Sequence, residues 1–207
     1  EINDRLIQAG QHLAFEPPNL GPLLGTGDGA TIGGTLACNL AGPRRIQAGA
    51  ARDHFLGFRA VSGRGEVFKS GGRVVKNVTG YDLCKLMAGS FGTLGVLCQV
   101  TFKVLPAAEK IRTVLVTGLD PAGAVLAMAH ALRSAHDVSG AAHLPAPVAA
   151  RSRVTYVAGA GTAVTALRLE GTGVGVEARS AALRRELATF GPVEELHSHN
   201  TALLWRE

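Results

Sequence analysis

At 207 residues the chain can hold one large domain or two small ones with a buried core. Its 46% hydrophobic and 18% charged content is ordinary for a globular protein, and no apolar run approaches the roughly 18 residues of a membrane span. The net charge of +5 comes from scattered Lys and Arg with 5% aromatics, so it describes a solvated basic surface rather than a nucleic-acid face.

No basic-then-apolar leader is visible at the start. The first residue, Glu1, and the apolar-periodic ending "NTALLWRE" suggest an internal piece of a longer polypeptide. Cys38, Cys84 and Cys98 are an odd set without C-x-x-C spacing. They read as reduced thiols, not as a zinc cluster or a disulfide framework.

In chain order, "INDRLIQA" places Ile2, Leu6 and Ala9 on one helical face, with Gly10 as the stop. "FEPPNLGPLL" follows; its three prolines argue against a central strand. Residues 25–43, "GTGDGATIGGTLACNLAGP", hold six glycines and one charge, Asp28. Residues 56–72 read as a hairpin turning at "GRG", with Phe58, Ala60 and Ser62 on one side and Gly57, Arg59 and Val61 on the other. "YDLCKLMAGS" is a short helix with Asp82 as N-cap, Leu83, Leu86 and Met87 inward, and Gly89 at its end. In "GVLCQVTFKVLP", Val96, Cys98, Val100, Phe102 and Val104 alternate with Gln99, Thr101 and Lys103, which predicts a strand with one buried face.

Glycine thins and alanine rises after residue 107. "IRTVLVTG" is a strand. "DPAGAVLAMAHALRSAH" is a helix with Asp120 as N-cap, Pro121 at its first position, and Val125, Met128, Ala129 and Leu132 as its apolar face. Strands "VSGAAHL" and "AVTALRLEG" come next. A helix with Val176, Leu183, Leu187 and Phe190 inward follows, then a last strand, "PVEELHS". Strand–helix–strand–strand–helix–strand is the ferredoxin-like, split βαβ order. The expected class is therefore α+β, with one unit over residues 1–107 and a second over 108–207.

Glycine backbone can adopt positive φ and lie against a ligand, and runs of free N–H groups cradle phosphates. Positive φ is the conformation expected at Gly33 and Gly34. A dinucleotide fingerprint fails on spacing, because Gly25, Gly27, Gly29, Gly33 and Gly34 do not make G-x-G-x-x-G; Asp53 lies at the right downstream distance, as many aspartates do. Tight turns alone are the competing explanation.

The glycine loop is accompanied by "KNVTGYDLCKLMAGSFGTLGVL" and a closing "FKVLP". Together with "TIGGTLACNLAGPRR", these resemble the vanillyl-alcohol-oxidase (PCMH-type) FAD-binding family, and within it the FAD-binding subunits of bacterial glycolate oxidases. The likeness is strong over residues 5–107 and rests mainly on element order beyond.

The resemblance implies non-covalently held FAD. It implies cofactor contacts at Gly27, Asp28, Gly29, Thr31, Gly33, Gly34, Cys38 and Asn39 in the first loop. In the second, Gly92, Thr93, Gly95, Val96 and Leu97 would face the adenine and ribityl-diphosphate side. Residues 1–107 would be an FAD-binding domain without its N-terminal subdomain, and its further glycine-rich phosphate loop is not in this chain. Residues 108–207 would be a C-terminally incomplete ferredoxin-like cap domain. A carboxylate common in the second loop of that family is replaced here by Phe91.

The implied activity is that of an FAD-dependent oxidoreductase subunit of a 2-hydroxy-acid (glycolate) oxidase or dehydrogenase. The implied partners are a homologous FAD-linked catalytic subunit and an iron–sulfur subunit, in the cytoplasm or peripheral at the inner membrane through those partners. The alternative is a non-catalytic assembly subunit with a structural or degenerate FAD site.

No residue is assigned a catalytic role and no metal site is assigned. His197 and His199 in "HSHN" share a strand side but have no third ligand nearby in sequence. His130, His136 and His143 lack an accompanying carboxylate cluster. His54 either faces the flavin or is a turn histidine; Lys76–Asn77 either approaches the flavin or fixes a turn. Arg44 and Arg45 are solvated charges or docking points for a partner.

Overall fold

The computed structural model describes residues 1–25, 30–75 and 80–207. These residues form two compact units, Glu1–Ala107 and Ala108–Glu207.

In the first unit, α1 (Ile2–Gln8) ends at Gly10, whose φ of 65° only glycine adopts cheaply. A two-residue strand, β1 (Gln11–His12), follows, then α2 (Gly21–Leu24), α3 (Ile32–Ala37), α4 (Arg45–Ala48) and α5 (Ala51–His54). β2 (Phe55–Val61) and β3 (Val67–Gly71) make the expected hairpin. After α6 (Leu83–Met87), β4 (Val96–Phe102) pairs antiparallel with the other side of β2, giving the order β3-β2-β4. β5 (Leu105–Pro106) returns to pair with β1, and the Ala107 N–H donates to Gly10 O, so the two ends of the unit are joined.

One face of this sheet carries Phe58, Ala60, Phe68, Leu97, Val100 and Phe102 onto a core of Leu13, Phe15, Leu36, Ala51, Phe55, Cys84 and Met87. Fully burying a side chain such as Phe15 contributes about 1.5–3 kcal/mol.

Two sequence expectations change here. The β2–β4 register slips between Arg59↔Gln99 and Ala60↔Leu97, leaving Cys98 as an extra residue. That bulge inverts the alternation N-terminal to it. Leu97 packs inward, whereas Val96 (68% exposed) and Cys98 face solvent. On α6, Cys84 and Met87 are buried and Leu86 is exposed, so the buried face runs through Cys84 rather than Leu86.

The second unit is built on β6 (Lys110–Thr117). It continues through α7 (Pro121–Arg133), β7 (Val138–Leu144), α8 (Ala146–Ala149), α9 (Thr155–Ala158), β8 (Val164–Gly171), α10 (Gly173–Leu187), β9 (Val193–His197) and α11 (Ser198–Leu204). The antiparallel order β7-β8-β6-β9 is that of a split βαβ unit. Asp120 caps α7, its Oδ1 accepting from the Gly123 N–H at 2.7 Å.

The buried face of α7 is Ala124, Ala127 and Ala131, while Val125 and Leu132 are exposed. Small side chains let the helix backbone approach the sheet, so the face is offset from the larger apolar residues. Val176, Leu183 and Leu187 of α10 complete that layer.

The opposite sheet face is covered by α8, α9 and α11 through Ala149, Val154, Val157 and Leu204, a layer the strand–helix pattern did not predict. In it Arg168, 2% exposed, pairs with Glu170 and lies 4.5 Å beneath the Trp205 ring. The Trp205 indole donates to Thr113 Oγ1 at 2.8 Å. Gly140 leaves the ring its room: an added Cβ would stand 3.1 Å from both the Trp205 ring and Arg168 Nη2, so one of them would have to give by a few tenths of an ångström.

Candidate functional site

The two glycine-rich loops meet at α3. Thr31 is its N-cap, in an extended conformation, with Oγ1 accepting from the Gly34 N–H at 3.1 Å. Gly33 and Gly34 lie within the helix and not at positive φ, so what distinguishes them is a missing Cβ. A Cβ on Gly33 would meet Leu97 at 3.8 Å, ordinary contact; on Gly34 it would meet Thr31 Oγ1 at 3.1 Å. Gly27, Asp28 and Gly29 lie outside the described residues, as do Lys76 and Asn77.

The C-terminal end of α3 receives the second loop. Cys38 is the C-cap, and Asn39 adopts φ 52° as the left-handed residue that closes the helix. The Leu40 N–H donates back to Thr35 O. The Asn39 side chain is also engaged: Oδ1 accepts from the Arg52 N–H at 2.9 Å, fixing α5 to the end of α3. Two carbonyls of this last turn accept from the second loop, Leu36 O from the Gly89 N–H at 3.3 Å and Ala37 O from the Phe91 N–H at 2.9 Å. No local pattern signals these bonds, because residues some fifty positions apart supply them.

Beyond that anchor the second loop is open. Thr93 turns back on Ser90 O through both its N–H and its hydroxyl. Gly92, at φ 77°, has nothing within 4 Å of where a Cβ would be. The Gly92 and Leu94 N–H groups make no hydrogen bond among the described residues. Gly95 passes so close to Val61 O that a Cβ would sit 2.7 Å from it. Ser90 Oγ is buried with no partner among the described residues. From Met87 to Cys98 there is no charged side chain. Free N–H donors, an uncharged surface and bare glycine backbone fit an anionic, flat-ringed cofactor such as FAD.

The remaining candidates separate clearly. His54 is 2% exposed, packed on Phe15, with Nε2 donating to Ala48 O at 2.8 Å and Nδ1 unpartnered. It is a core histidine, closed off from solvent. Asp53 accepts from the Ala50 N–H at 2.8 Å and so caps α5. Arg44 is tied to Glu16, its N–H donating to Oε2 at 3.0 Å, whereas Arg45 is exposed.

His197 ends β9 and His199 lies in α11, so the pair does not share a strand side. His130 and His136 do have a carboxylate: each Nε2 bonds one oxygen of Glu186, at 3.0 and 2.8 Å. Those two bonds, His136 first, hold the Glu186 carboxyl below its ordinary range. Among the described residues no group of three or more His, Cys, Asp or Glu is arranged to hold a metal. None of their helices is long and apolar enough to cross a membrane.

Residues 5–71 match the family described as "FAD binding domain". The chain is 50% identical over 105 residues to the glycolate oxidase subunit GlcE of Escherichia coli, covering 51% of this chain and 28% of that protein. It is 38% identical over 86 residues to the glycolate oxidase subunit GlcD of Bacillus subtilis, covering 42% and 18%. Among solved structures it is similar in fold to alkyldihydroxyacetonephosphate synthase, at a TM-score of 0.73 and 16% identity over 98% of this chain and 40% of that one. The chain thus spans well under half the length of these relatives.

Proposed function

We propose that this chain is part of the FAD-binding subunit of a 2-hydroxy-acid oxidoreductase of the glycolate oxidase type. The observation that carries this reading is the docking of the Gly89–Leu97 loop on the last turn of α3, within and next to the segment matching the FAD binding domain family. The first unit acts as the later part of the flavin domain and the second as its cap. Thr31, Gly33, Gly34, Gly92 and Gly95 hold the cofactor by backbone approach, with Cys38, Asn39, Val96 and Leu97 shaping the loops; Gly27, Asp28 and Gly29 complete the set. Bound FAD supplies a two-electron acceptor for the hydroxy-acid carbon. The chain's own residues position it, with Asp28 the one charged member of the set.

The protein works in a complex with a homologous FAD-linked catalytic subunit and an iron–sulfur subunit, in the cytoplasm or held peripherally at the inner membrane by them. A second reading, an assembly subunit whose flavin is structural, is favoured by His54: its imidazole is buried and cannot take a substrate proton.

The test uses the full-length polypeptide and its Gly33→Val variant. The wild type is expected to purify with flavin that denaturation releases, and the variant to fold with its flavin lost. A colourless wild type that also fails to take up added FAD would refute the cofactor assignment. Turnover of glycolate or D-lactate by the isolated subunit with an artificial acceptor, at several per second, would refute the division of labour.

A further inference from the structure

Phe91 is the conformational outlier of the site. Its φ of 53° is sterically costly for a bulky residue and open to glycine. The backbone has a reason to be there, since this geometry aims the Phe91 N–H at Ala37 O. The side chain has none within the fold. It is 73% exposed, and the aromatic contacts among the described residues join Phe15, Phe55, Phe58, Phe68 and Phe190 but not Phe91. Strain of this kind persists where a side chain has work outside the packed core.

The surroundings indicate what the ring meets. The next residues offer the Gly92 and Leu94 N–H groups, unpaired among the described residues, and the exposed Leu94 and Val96 side chains lie on the same uncharged stretch. Donors for an anion beside an unpartnered aromatic face are the two features a nucleotide satisfies at once, with its phosphate and its flat ring. A purely apolar protein partner would leave the N–H groups unmet.

Resting on the FAD reading above, we propose that Phe91 is a stacking platform for one flat heteroaromatic ring of the cofactor, adenine or isoalloxazine. It is then a binding residue whose side chain costs the apoprotein stability.

That sign makes the proposal testable in full-length protein stripped of flavin. Phe91→Gly removes both ring and strain, and should raise the melting temperature of the apoprotein by about 2–4 °C. The same variant should bind FAD at least about tenfold more weakly, the range of a lost aromatic–base stack. Phe91→Tyr, which keeps the ring, should bind FAD nearly as the wild type does.

Titrations with ADP and with FMN separate the two rings. If ADP alone weakens in Phe91→Gly the ring is adenine, and if FMN alone weakens it is the isoalloxazine; either result supports the proposal. Unchanged FAD affinity in Phe91→Gly, with wild type binding normally, overturns it and leaves the FAD reading intact. A lowered melting temperature also overturns it, because the ring would then be packing in the fold. Absence of FAD binding by the wild type overturns both.

Discussion

Asn39 joins the two loops to α5, and its contribution divides into two separable parts. The side-chain bond to the Arg52 N–H contributes about 0.5–1.5 kcal/mol. The left-handed backbone at φ 52°, which Asn tolerates and most residues do not, adds about 1–2 kcal/mol when a plain L side chain is forced into it. Asn39→Gly removes only the first and should loosen the α3 terminus by about 1 kcal/mol, or roughly fivefold in local opening. Asn39→Ala removes both, about 2–3 kcal/mol, or roughly 30- to 150-fold.

Hydrogen exchange on the full-length protein reads this directly at the amides of Leu40, Gly89 and Phe91, each of which donates to a carbonyl of α3. Equal exchange in the Gly and Ala variants would refute the left-handed term. Loosening at Leu40 with Gly89 and Phe91 unchanged would refute the coupling of the two loops through this helix end.

Two further consequences concern each unit separately. Burial, with the Asp82 carboxylate second, pushes the Cys84 thiol from 9.0 up to about 11, so the folded state keeps a proton that the unfolded chain loses. Stability from this group is full below about pH 9 and falls as pH rises towards 11; denaturant unfolding at pH 8 and 10.5 should show a pH dependence that Cys84→Ala reduces, and equal dependence in both proteins would disprove it. In the second unit, Gly140→Ala is expected to crowd the Trp205 ring and Arg168 and to shift the ring against its bond to Thr113, costing about 1–3 kcal/mol. Because the chain has one tryptophan, a red-shifted emission reports it, and unchanged emission with unchanged stability would show that the ring has room to move.

The Asp120 cap and the strand–helix order of the second unit are written locally, in side-chain periods of two and 3.6 residues and in capping chemistry. Both glycine loops were legible for the same reason, since glycine and short polar residues mark where backbone itself is used. The inward face of β4 was not legible, because a bulge at Cys98 exists only relative to β2 and reverses which residues are buried. The alanine face of α7 was missed because close approach to a sheet, rather than side-chain size, selected it.

The carboxylate shared by His130 and His136 comes from Glu186, fifty or more residues away. In the layer formed by α8, α9 and α11, the first two helices are four residues each, too short to carry a period. At the site, sequence alone determined that two glycine loops poor in charge exist and which residues compose them. Only the tertiary structure decided that both converge on α3, that Gly33 and Gly34 are helical, that His54 is interior, and that Phe91 is held in the left-handed region with its ring exposed. Those facts depend on hydrogen bonds and packing between segments that no local pattern encodes.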